Sequence, residues 1–167
     1  KGCMWKGVCN LACCGWCGGR GGALFARYRS RLGKEVTRWG PEGDPSYEVL
    51  KKTGRNEYVA LDEKITLTCD LEQAVRTAQI IVISISAQGL RGFMQRIVRY
   101  PVSEKVFVLC MKGIETGTGK RLSEILTESG ISQEKIAVWV GPGHIQSFVQ
   151  GIPNCMVIDS ENEALKI

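Results

Sequence analysis

The chain has 167 residues, of which 44% are hydrophobic and 23% are charged, and this length and composition suit one globular domain with a sizeable core. Its formal net charge of +5 comes from the amino-terminal region, but most of those cations fall on a predicted helix and its exit, which is typical of a solvated face rather than a nucleic-acid surface. No apolar run approaches the about 20 residues of a membrane span, and glycine, cysteine and tryptophan interrupt any secretory signal, so we expect a cytoplasmic protein.

Five cysteines crowd the first 17 residues, and Cys14 and Cys17 have the CxxC spacing of zinc and redox sites. Without a secretory signal these thiols are expected to be reduced. A second CxxC or a Cys/His pair, which would complete a set of ligands, is missing from the sequence. Two interpretations stay open for residues 1–22: an atypical Cys/Gly-rich leader whose cysteines fill apolar space, which we favour, or a module that binds zinc or an iron–sulfur cluster.

The glycine-rich turn at the end of this leader matches part of a dinucleotide-binding motif. Such a motif places G-x-G-x-x-G between a strand and a helix, because glycine permits a tight turn and the close approach of a pyrophosphate. The chain reads C-x-G-x-x-G before the helix that begins at Ala23, with Cys17 in place of the first glycine and with Gly19 and Gly22 at the other positions. An acid about 20 residues further on would bind the ribose, and Glu42 has that spacing in a loop rich in proline and glycine. A flexible surface loop is the alternative explanation of these glycines.

From residue 23 onward the apolar pattern alternates between helix and strand, which predicts an α/β fold with a doubly wound, mostly parallel, Rossmann-like sheet. The run of β-branched residues at 80–85 is typical of a central strand that is buried on both faces. Asp70 is expected to cap the following helix, with Gln73 completing a capping-box-like pair. In chain order we predict a helix at 23–32, a strand at 35–39, a loop with one helical turn at 40–56, a strand at 65–69, the helix capped by Asp70, a strand at 80–85, a helix at 88–99, a strand at 106–110, a helix at 121–129, a strand at 136–140, a helix at 145–149, a strand at 154–158 and a helix from 161.

Two polar segments follow apolar strands in the second half of the chain. The segment 112–116, KGIET, follows the predicted strand 106–110, and the segment 141–143, GPG, follows the predicted strand 136–140. Neighbouring parallel strands deliver such segments to one edge of the sheet, where open α/β folds bind ligands. Lys112 and the glycine turn are therefore predicted to meet there and to hold an anionic substrate.

Several ordered segments of the chain carry a family resemblance. These are residues 65–91 (ITLTCDLEQAVRTAQIIVISISAQGLR), residues 112–126 (KGIETGTGKRLSEIL) and residues 141–153 (GPGHIQSFVQGIP). In their order and spacing they resemble the amino-terminal domain of bacterial NAD(P)-dependent glycerol-3-phosphate dehydrogenase. The resemblance implies an NAD(P)-binding domain at 23–167, preceded by the leader and a degenerate dinucleotide turn at 1–22.

The resemblance also implies an activity and a set of contacts. Enzymes of this family reduce dihydroxyacetone phosphate to sn-glycerol 3-phosphate with NAD(P)H, which supplies precursors of glycerophospholipids. Lys112 is then expected to touch both cofactor and substrate, and Gly141 and Gly143 fall at substrate-contacting positions. The other residues at cofactor-contacting positions are Gly19, Arg20, Gly21, Gly22 and Ile145.

The family's catalytic lysine belongs to a second, all-helical domain beyond Ile167. We therefore expect no catalytic residue within the chain and negligible turnover from the chain alone. The expected partner is a small phosphate ester, with no nucleic acid and no membrane span, and the resemblance allows a homodimer of the full-length protein. A preference for NADH or NADPH stays open, as does the alternative of another two-domain NAD(P)-dependent dehydrogenase, such as one that acts on a hydroxy acid.

The leader departs from the family pattern. Arg20 and Gly21 stand where a small residue and tryptophan are expected, and Ser86 replaces a proline after the central strand. We hypothesise that the first 20 or so residues are a frame-shifted segment. Reading the coding DNA in its other frames tests this hypothesis, and the lack of G-x-G-x-x-G in every frame would contradict it.

Overall fold

The computed structural model describes residues 11–15 by their backbone, together with residues 23, 26–27, 30–31, 33–56, 59–141, 147, 150, 152 and 156–166. The strands are β1 Leu11–Gly15, β2 Val36–Trp39, β3 Ile65–Thr68, β4 Ile80–Ser84, β5 Val106–Leu109, β6 Ile136–Val140 and β7 Val157–Ser160. The α-helices with complete bounds are α1 Pro45–Thr53, α2 Leu71–Thr77, α3 Leu90–Ile97 and α4 Leu122–Glu128. The described residues within the predicted helix at 23–32 are helical as well.

The strands form one sheet in the order β3-β2-β1-β4-β5-β6-β7. All neighbouring strands are parallel except β6 and β7, which are antiparallel. The order reverses between β1 and β4, and this is the point at which open α/β sheets form a ligand-binding crevice. The predicted doubly wound, mostly parallel, Rossmann-like α/β class is confirmed.

Both faces of the sheet are buried, as the apolar character of residues 80–85 predicts. Successive side chains of a strand point to opposite faces. Ile81 and Ile83 accordingly pack in a core with Phe93 of α3, while Ile80 and Val82 pack in a second core on the other face. Two covering layers therefore hold the central strands rigidly, and the carboxyl edge of the sheet is left for loops.

The start of α2 shows how a short polar pattern begins a helix. The side chain of Asp70 accepts a hydrogen bond from the backbone N–H of Gln73 at 2.9 Å, which confirms the predicted cap. The capping-box-like pairing is wrong in its second half. Because the Thr68 hydroxyl accepts from the backbone N–H of Asp70 at 3.0 Å and donates to Gln73 Oε1 at 3.2 Å, it takes the place that the Gln73 side chain was predicted to fill.

The loop predicted at 40–56 contains a full helix instead of one turn. Helix α1 spans nine residues, and its start carries a recognisable signal, because the Asp44 side chain accepts from the N–H of Tyr47 and Pro45 occupies the first turn. Gly54 ends the helix in the left-handed conformation with φ of 65°. The density of proline, glycine and aspartate marked the two ends of a helix rather than an irregular segment.

The carboxyl-terminal end differs from the prediction in two respects. The strand predicted at 154–158 lies at Val157–Ser160 and runs antiparallel to β6. The helix predicted from 161 is one 3₁₀ turn at Glu163–Leu165, begun by the Asn162 side chain, which accepts from the N–H of Ala164. Of the helix predicted at 145–149 only Ser147 is described, and it is helical.

The amino-terminal leader contributes to this sheet. Strand β1, with the sequence LACCG, pairs with β2 on one side and with β4 on the other. The division of the chain at residue 22 stays a prediction. Among the helices that the structure describes, none is long and apolar enough to cross a membrane.

Candidate functional site at the carboxyl edge of the sheet

The two predicted polar segments meet at one cavity. Strands β5 and β6 pair in parallel, with Val108 opposite Ala137, so the residues after both strands emerge at the same edge. A cavity of about 510 Å³ opens there, and both Lys112 and Gly141 line it. The cavity therefore brings Lys112 together with Gly141, the first residue of the predicted glycine turn. The other two residues of that turn lie outside the described residues.

The walls of this cavity combine an apolar base with positive charge. Lys112 and Arg121 are the cations in the lining, Ser123 adds a hydroxyl, and the described lining contains no acidic side chain. Arg121 is paired with Glu124 at 3.2 Å, so Lys112 is the cation of the described lining that is best placed to attract an anion beside the apolar walls, where the field is screened less than in bulk water. The other lining residues are Leu109, Met111, Gly113, Leu122, Val138 and Val140.

Lys112 is carried by a tightly folded loop, which we call the lysine loop and define as residues 111–121. Gly113 has φ of +125°, a conformation that strains any residue with a Cβ, and a Cβ there would lie 3.2 Å from the Cβ of Ala87. The N–H of Glu115 donates to the carbonyl of Lys120 at 2.9 Å, and an antiparallel bridge joins Ile114 to Arg121. The loop therefore closes on itself and presents the exposed Lys112 beside the cavity.

Gln88 fastens the lysine loop to the segment that follows β4. Its side-chain Nε2 donates to the carbonyl of Ile114 at 2.9 Å, and its Oε1 accepts from the N–H of Thr116 at 2.8 Å. Both ends of the carboxamide are thus used on backbone groups that flank Glu115. The segment Ala87–Gly89 is a 3₁₀ turn that leads directly into α3, so the loop is attached to a packed helix.

Arg91 fastens the same loop through charge. Its guanidinium donates to both carboxylate oxygens of Glu115, at 2.7 and 2.8 Å, and also to Glu128 of α4 at 3.0 Å. Glu115 further accepts from the hydroxyl of Thr118 at 2.6 Å, and Lys120 contacts Glu128. Bidentate pairing of this kind fixes orientation as well as distance.

These contacts change the proton affinity of the loop's carboxylates. The hydrogen bonds from Arg91 and then Thr118 lower the pKa of Glu115 from its ordinary value of 4.5 to about 2. The pKa of Glu128 is lowered by Lys120 first and by Arg91 second. Both carboxylates are therefore ionised at neutral pH, and the network of opposite charges stays intact.

The far end of the carboxyl edge, after β2, is closely packed. Trp39 Nε1 donates to the carbonyl of Cys69 at 3.0 Å, and the Arg96 guanidinium lies 5.6 Å from the centre of the Trp39 ring. Glu42, which has the spacing of a ribose-binding acid, lies in the exposed turn that follows this packed corner. The ribose-binding role of Glu42 stays a prediction.

Several predicted site residues lie outside the described residues. The structure brings together Lys112 and Gly141 and leaves the roles of both as proposals. Sequence reasoning missed Gln88, Arg91 and Arg121, although the first two stand in the segment AQGLR that carries the family resemblance. The predicted site residues outside the described part of the chain are Gly19, Arg20, Gly21, Gly22, Gly143 and Ile145.

The structure leaves the metal-binding alternative for the leader open. Within the described ranges, no three His, Cys, Asp or Glu side chains lie together as a metal site. Cys69 and Cys110, whose side chains are described, form no disulfide. The cysteines of the CxxC motif, Cys14 and Cys17, have side chains outside the described part.

Comparisons with known proteins agree with the fold and the motifs. Residues 16–166 match the family model of the NAD-dependent glycerol-3-phosphate dehydrogenase N-terminus. The chain is 30% identical over 146 residues to a glycerol-3-phosphate dehydrogenase [NAD(P)+] of Thermoanaerobacter sp. strain X514, with 86% of this chain and 44% of the relative covered. It is also 30% identical over 160 residues to the enzyme of the same name from Pelodictyon phaeoclathratiforme, with 93% and 47% covered.

A solved structure supports the same fold. The crystal structure of glycerol-3-phosphate dehydrogenase from Coxiella burnetii superposes with a TM-score of 0.80 at 22% identity, over 95% of this chain and 51% of that one. The chain spans about half the length of the relatives that it matches. On the extent of the family match, the chain belongs to the NAD-dependent glycerol-3-phosphate dehydrogenase family, of which it represents the amino-terminal domain.

Proposed function

We propose that this chain is the cofactor-binding portion of an oxidoreductase that reduces dihydroxyacetone phosphate to sn-glycerol 3-phosphate with NAD(P)H, in the supply of glycerophospholipid precursors. The observation that carries the proposal is the shared cavity of Lys112 and Gly141 at the carboxyl edge of β5 and β6. Family membership supports the same reaction. The location of the protein is proposed to be cytoplasmic, and a homodimer is proposed for the full-length enzyme.

The fold suits a dinucleotide at the neighbouring crevice. The sheet order reverses between β1 and β4, and the glycine-rich segment 16–22 follows β1 directly, which is where a Rossmann-like fold holds a pyrophosphate. NAD(P)H, when bound, supplies the hydride for the carbonyl carbon of the substrate. The residues of this chain are proposed to bind, orient and neutralise charge around that step.

Lys112 is suited to neutralising negative charge. Its ammonium group is a compact, mobile point charge that can approach a phosphate or a carbonyl oxygen on which charge develops. The lysine loop presents it beside a cavity whose described lining holds no acid that would compete for it. Gly141, which lines the same cavity, offers a backbone that a ligand can approach without meeting a side chain.

A fused enzyme tests the proposed role of Lys112. Residues 1–167 joined to the carboxyl-terminal half of the Thermoanaerobacter relative are expected to oxidise NADH or NADPH in the presence of dihydroxyacetone phosphate. Lys112→Ala is expected to lower kcat/KM about 100-fold, because an electrostatic contact to the reacting oxygens is lost. Lys64→Ala, at an exposed position on the β3 side of the sheet, is the matched control and should leave kcat/KM unchanged.

The outcomes separate the parts of the proposal. An unchanged kcat/KM for Lys112→Ala would rule out the assigned role of that residue. A preference of the fused enzyme for a hydroxy acid would instead overturn the substrate. The 167-residue chain alone is expected to show negligible turnover, and robust activity from it would contradict the expectation that the catalytic residues lie in the second domain.

A further inference from the structure

Gln88 and Arg91, which have no role in the proposed function, form hydrogen bonds with the lysine loop. Gln88 and Arg91 come from the turn after β4 and the first turn of α3, and they contact loop residues that lie 24 to 28 positions further along the chain. Neither is part of the described cavity lining. Their contacts nevertheless lie two to four residues from Lys112, at Ile114, Glu115 and Thr116.

The internal backbone contacts of the lysine loop come at a high entropic cost of ordering. Gly113, Gly117 and Gly119 all have positive φ values, and most of the residues between 112 and 119 are exposed. Glycine loses more backbone freedom on ordering than other residues do, so a loop of this composition is expensive to order. Contacts from outside the loop add to its own hydrogen bonds in offsetting this loss of entropy and so help to keep Lys112 in one position.

The contacts that Gln88 and Arg91 make are specific in chemistry and direction. Gln88 needs a donor and an acceptor together, which only a carboxamide supplies at this length, because a carboxylate would face the Ile114 carbonyl with no proton to donate. Arg91 uses two nitrogens on both oxygens of Glu115, whose side chain is only 12% exposed. Partial burial and bidentate geometry make this pair stronger than an ordinary surface ion pair.

We propose that Gln88 and Arg91 are positioning residues that hold Lys112 at the cavity for an anionic ligand, and this inference rests on the proposed function. They act on the ligand through the lysine loop and do not touch it. Loss of either contact is expected to weaken ligand binding while the fold persists, since the core on that face depends on Phe93, Ile97 and Ile125 instead.

The affinity of the 167-residue chain for glycerol 3-phosphate, measured by NMR titration, tests the proposal. Arg91→Met and Gln88→Glu are each expected to raise Kd by roughly threefold to tenfold, because a misplaced ammonium group loses part of its contact. Arg91→Lys should restore Kd only in part, because lysine cannot make the bidentate pair. Arg76→Met is the matched control: it removes an exposed Arg–Glu pair with the same 2.7 Å Nε–Oε1 distance on α2, and Kd should not change.

A double substitution distinguishes positioning from general stabilisation. If Arg91 acts through Lys112, Arg91→Met in a Lys112→Ala background should raise Kd no further than Lys112→Ala alone. Should Arg91→Met fail to fold, Glu115→Gln keeps the shape of the acceptor and should also raise Kd. Hydrogen exchange at the Thr116 amide reports the Gln88 contact directly, and that amide should lose protection in Gln88→Met, which has a similar length and no side-chain oxygen to accept from it.

The inference and the proposed function fail in different ways. A raised Kd in Lys112→Ala with an unchanged Kd in both Arg91→Met and Gln88→Glu would overturn the positioning role alone. The positioning role would also be overturned if Arg91→Met raised Kd by the same factor in the Lys112→Ala background as in the unmodified chain. An unchanged Kd in Lys112→Ala, or no binding of glycerol 3-phosphate by the unmodified chain, would overturn the role of Lys112 and the positioning role together.

Discussion

At the scale of single residues, two glycines are required for different physical reasons. A Cβ on Gly40 would lie 2.3 Å from Cδ2 and 2.7 Å from Cγ of Tyr47. Tyr47 is buried at 3% exposure, and this burial, with the hydrogen bond to Cys69, raises the pKa of its hydroxyl above the ordinary value. Gly113 is required instead by its backbone conformation, at φ of +125°.

Gly40→Ala is expected to destabilise the fold by about 1–3 kcal/mol, because the added methyl group overlaps the buried ring of Tyr47. Gly92→Ala is the control: this exposed glycine inside α3 has nothing within 4 Å of the added atom, and alanine there should stabilise by about 0.5–1 kcal/mol. Urea unfolding of the two variants measures both effects. Equal stabilities would show that Tyr47 moves freely and would contradict the packing of this corner.

At the scale of secondary-structure elements, α2 depends on its first polar residue. Asp70 satisfies one of the backbone N–H groups that the first turn leaves without a helical partner, and Thr68 supports it from the end of β3. The helix has only seven residues, so its stability comes from its buried stripe and from this cap. The buried residues of that stripe are Leu71, Ala74 and Val75.

Asp70→Ala is expected to cost about 1 kcal/mol of unfolding free energy, since the N–H of Gln73 loses its acceptor. Asp70→Asn keeps an oxygen in the same place and should cost much less. Ser132→Ala serves as the control, because Ser132 precedes a 3₁₀ turn without making a side-chain cap, and its effect should stay within about 0.5 kcal/mol. Thermal unfolding of the three variants measures these differences in stability. A loss of stability in Ser132→Ala as large as that in Asp70→Ala would contradict the role of the cap.

At the scale of the whole molecule, a few charged contacts join parts of the chain that the sheet does not connect. Arg91 bonds to Glu115, 24 residues further along, and to Glu128, 37 residues further along. Helix α3, the lysine loop and α4 are thereby tied together at the carboxyl edge. The apolar core beneath them fixes the helices, and the ion pairs fix the loop that lies across them.

This network predicts a pH dependence of stability. The pKa of Glu115 is about 2 in the folded chain against an ordinary value of 4.5, so the unfolded chain binds a proton more readily. The contribution of Glu115 should be fully present above about pH 4.5 and should be lost as the pH falls towards 2. The difference in unfolding free energy between the unmodified chain and Glu115→Gln, measured from pH 6 to pH 2, should shrink over that window. A difference that stays constant across the window would contradict the lowered pKa.

The sequence by itself determined the class of fold and the edge at which the site lies. The apolar runs at 80–85, 106–110 and 136–140 predicted three parallel strands, because hydrophobic periodicity is a local property that burial on both faces enforces. It also placed Lys112 and Gly141 together, since the carboxyl ends of neighbouring parallel strands share one edge. The cap at Asp70 was also predicted from the local sequence, because it depends on residues only three positions apart.

The tertiary structure alone decided which side chains hold that site in shape. The pairing of Gln88 and Arg91 with the lysine loop joins residues more than 20 positions apart, and no local pattern specifies such a pairing. The antiparallel direction of β7 was likewise settled by packing, because the local pattern of a strand does not specify its direction relative to its neighbour. Local periodicity therefore determines where the chain forms strands and helices, and long-range packing determines how a single lysine is held.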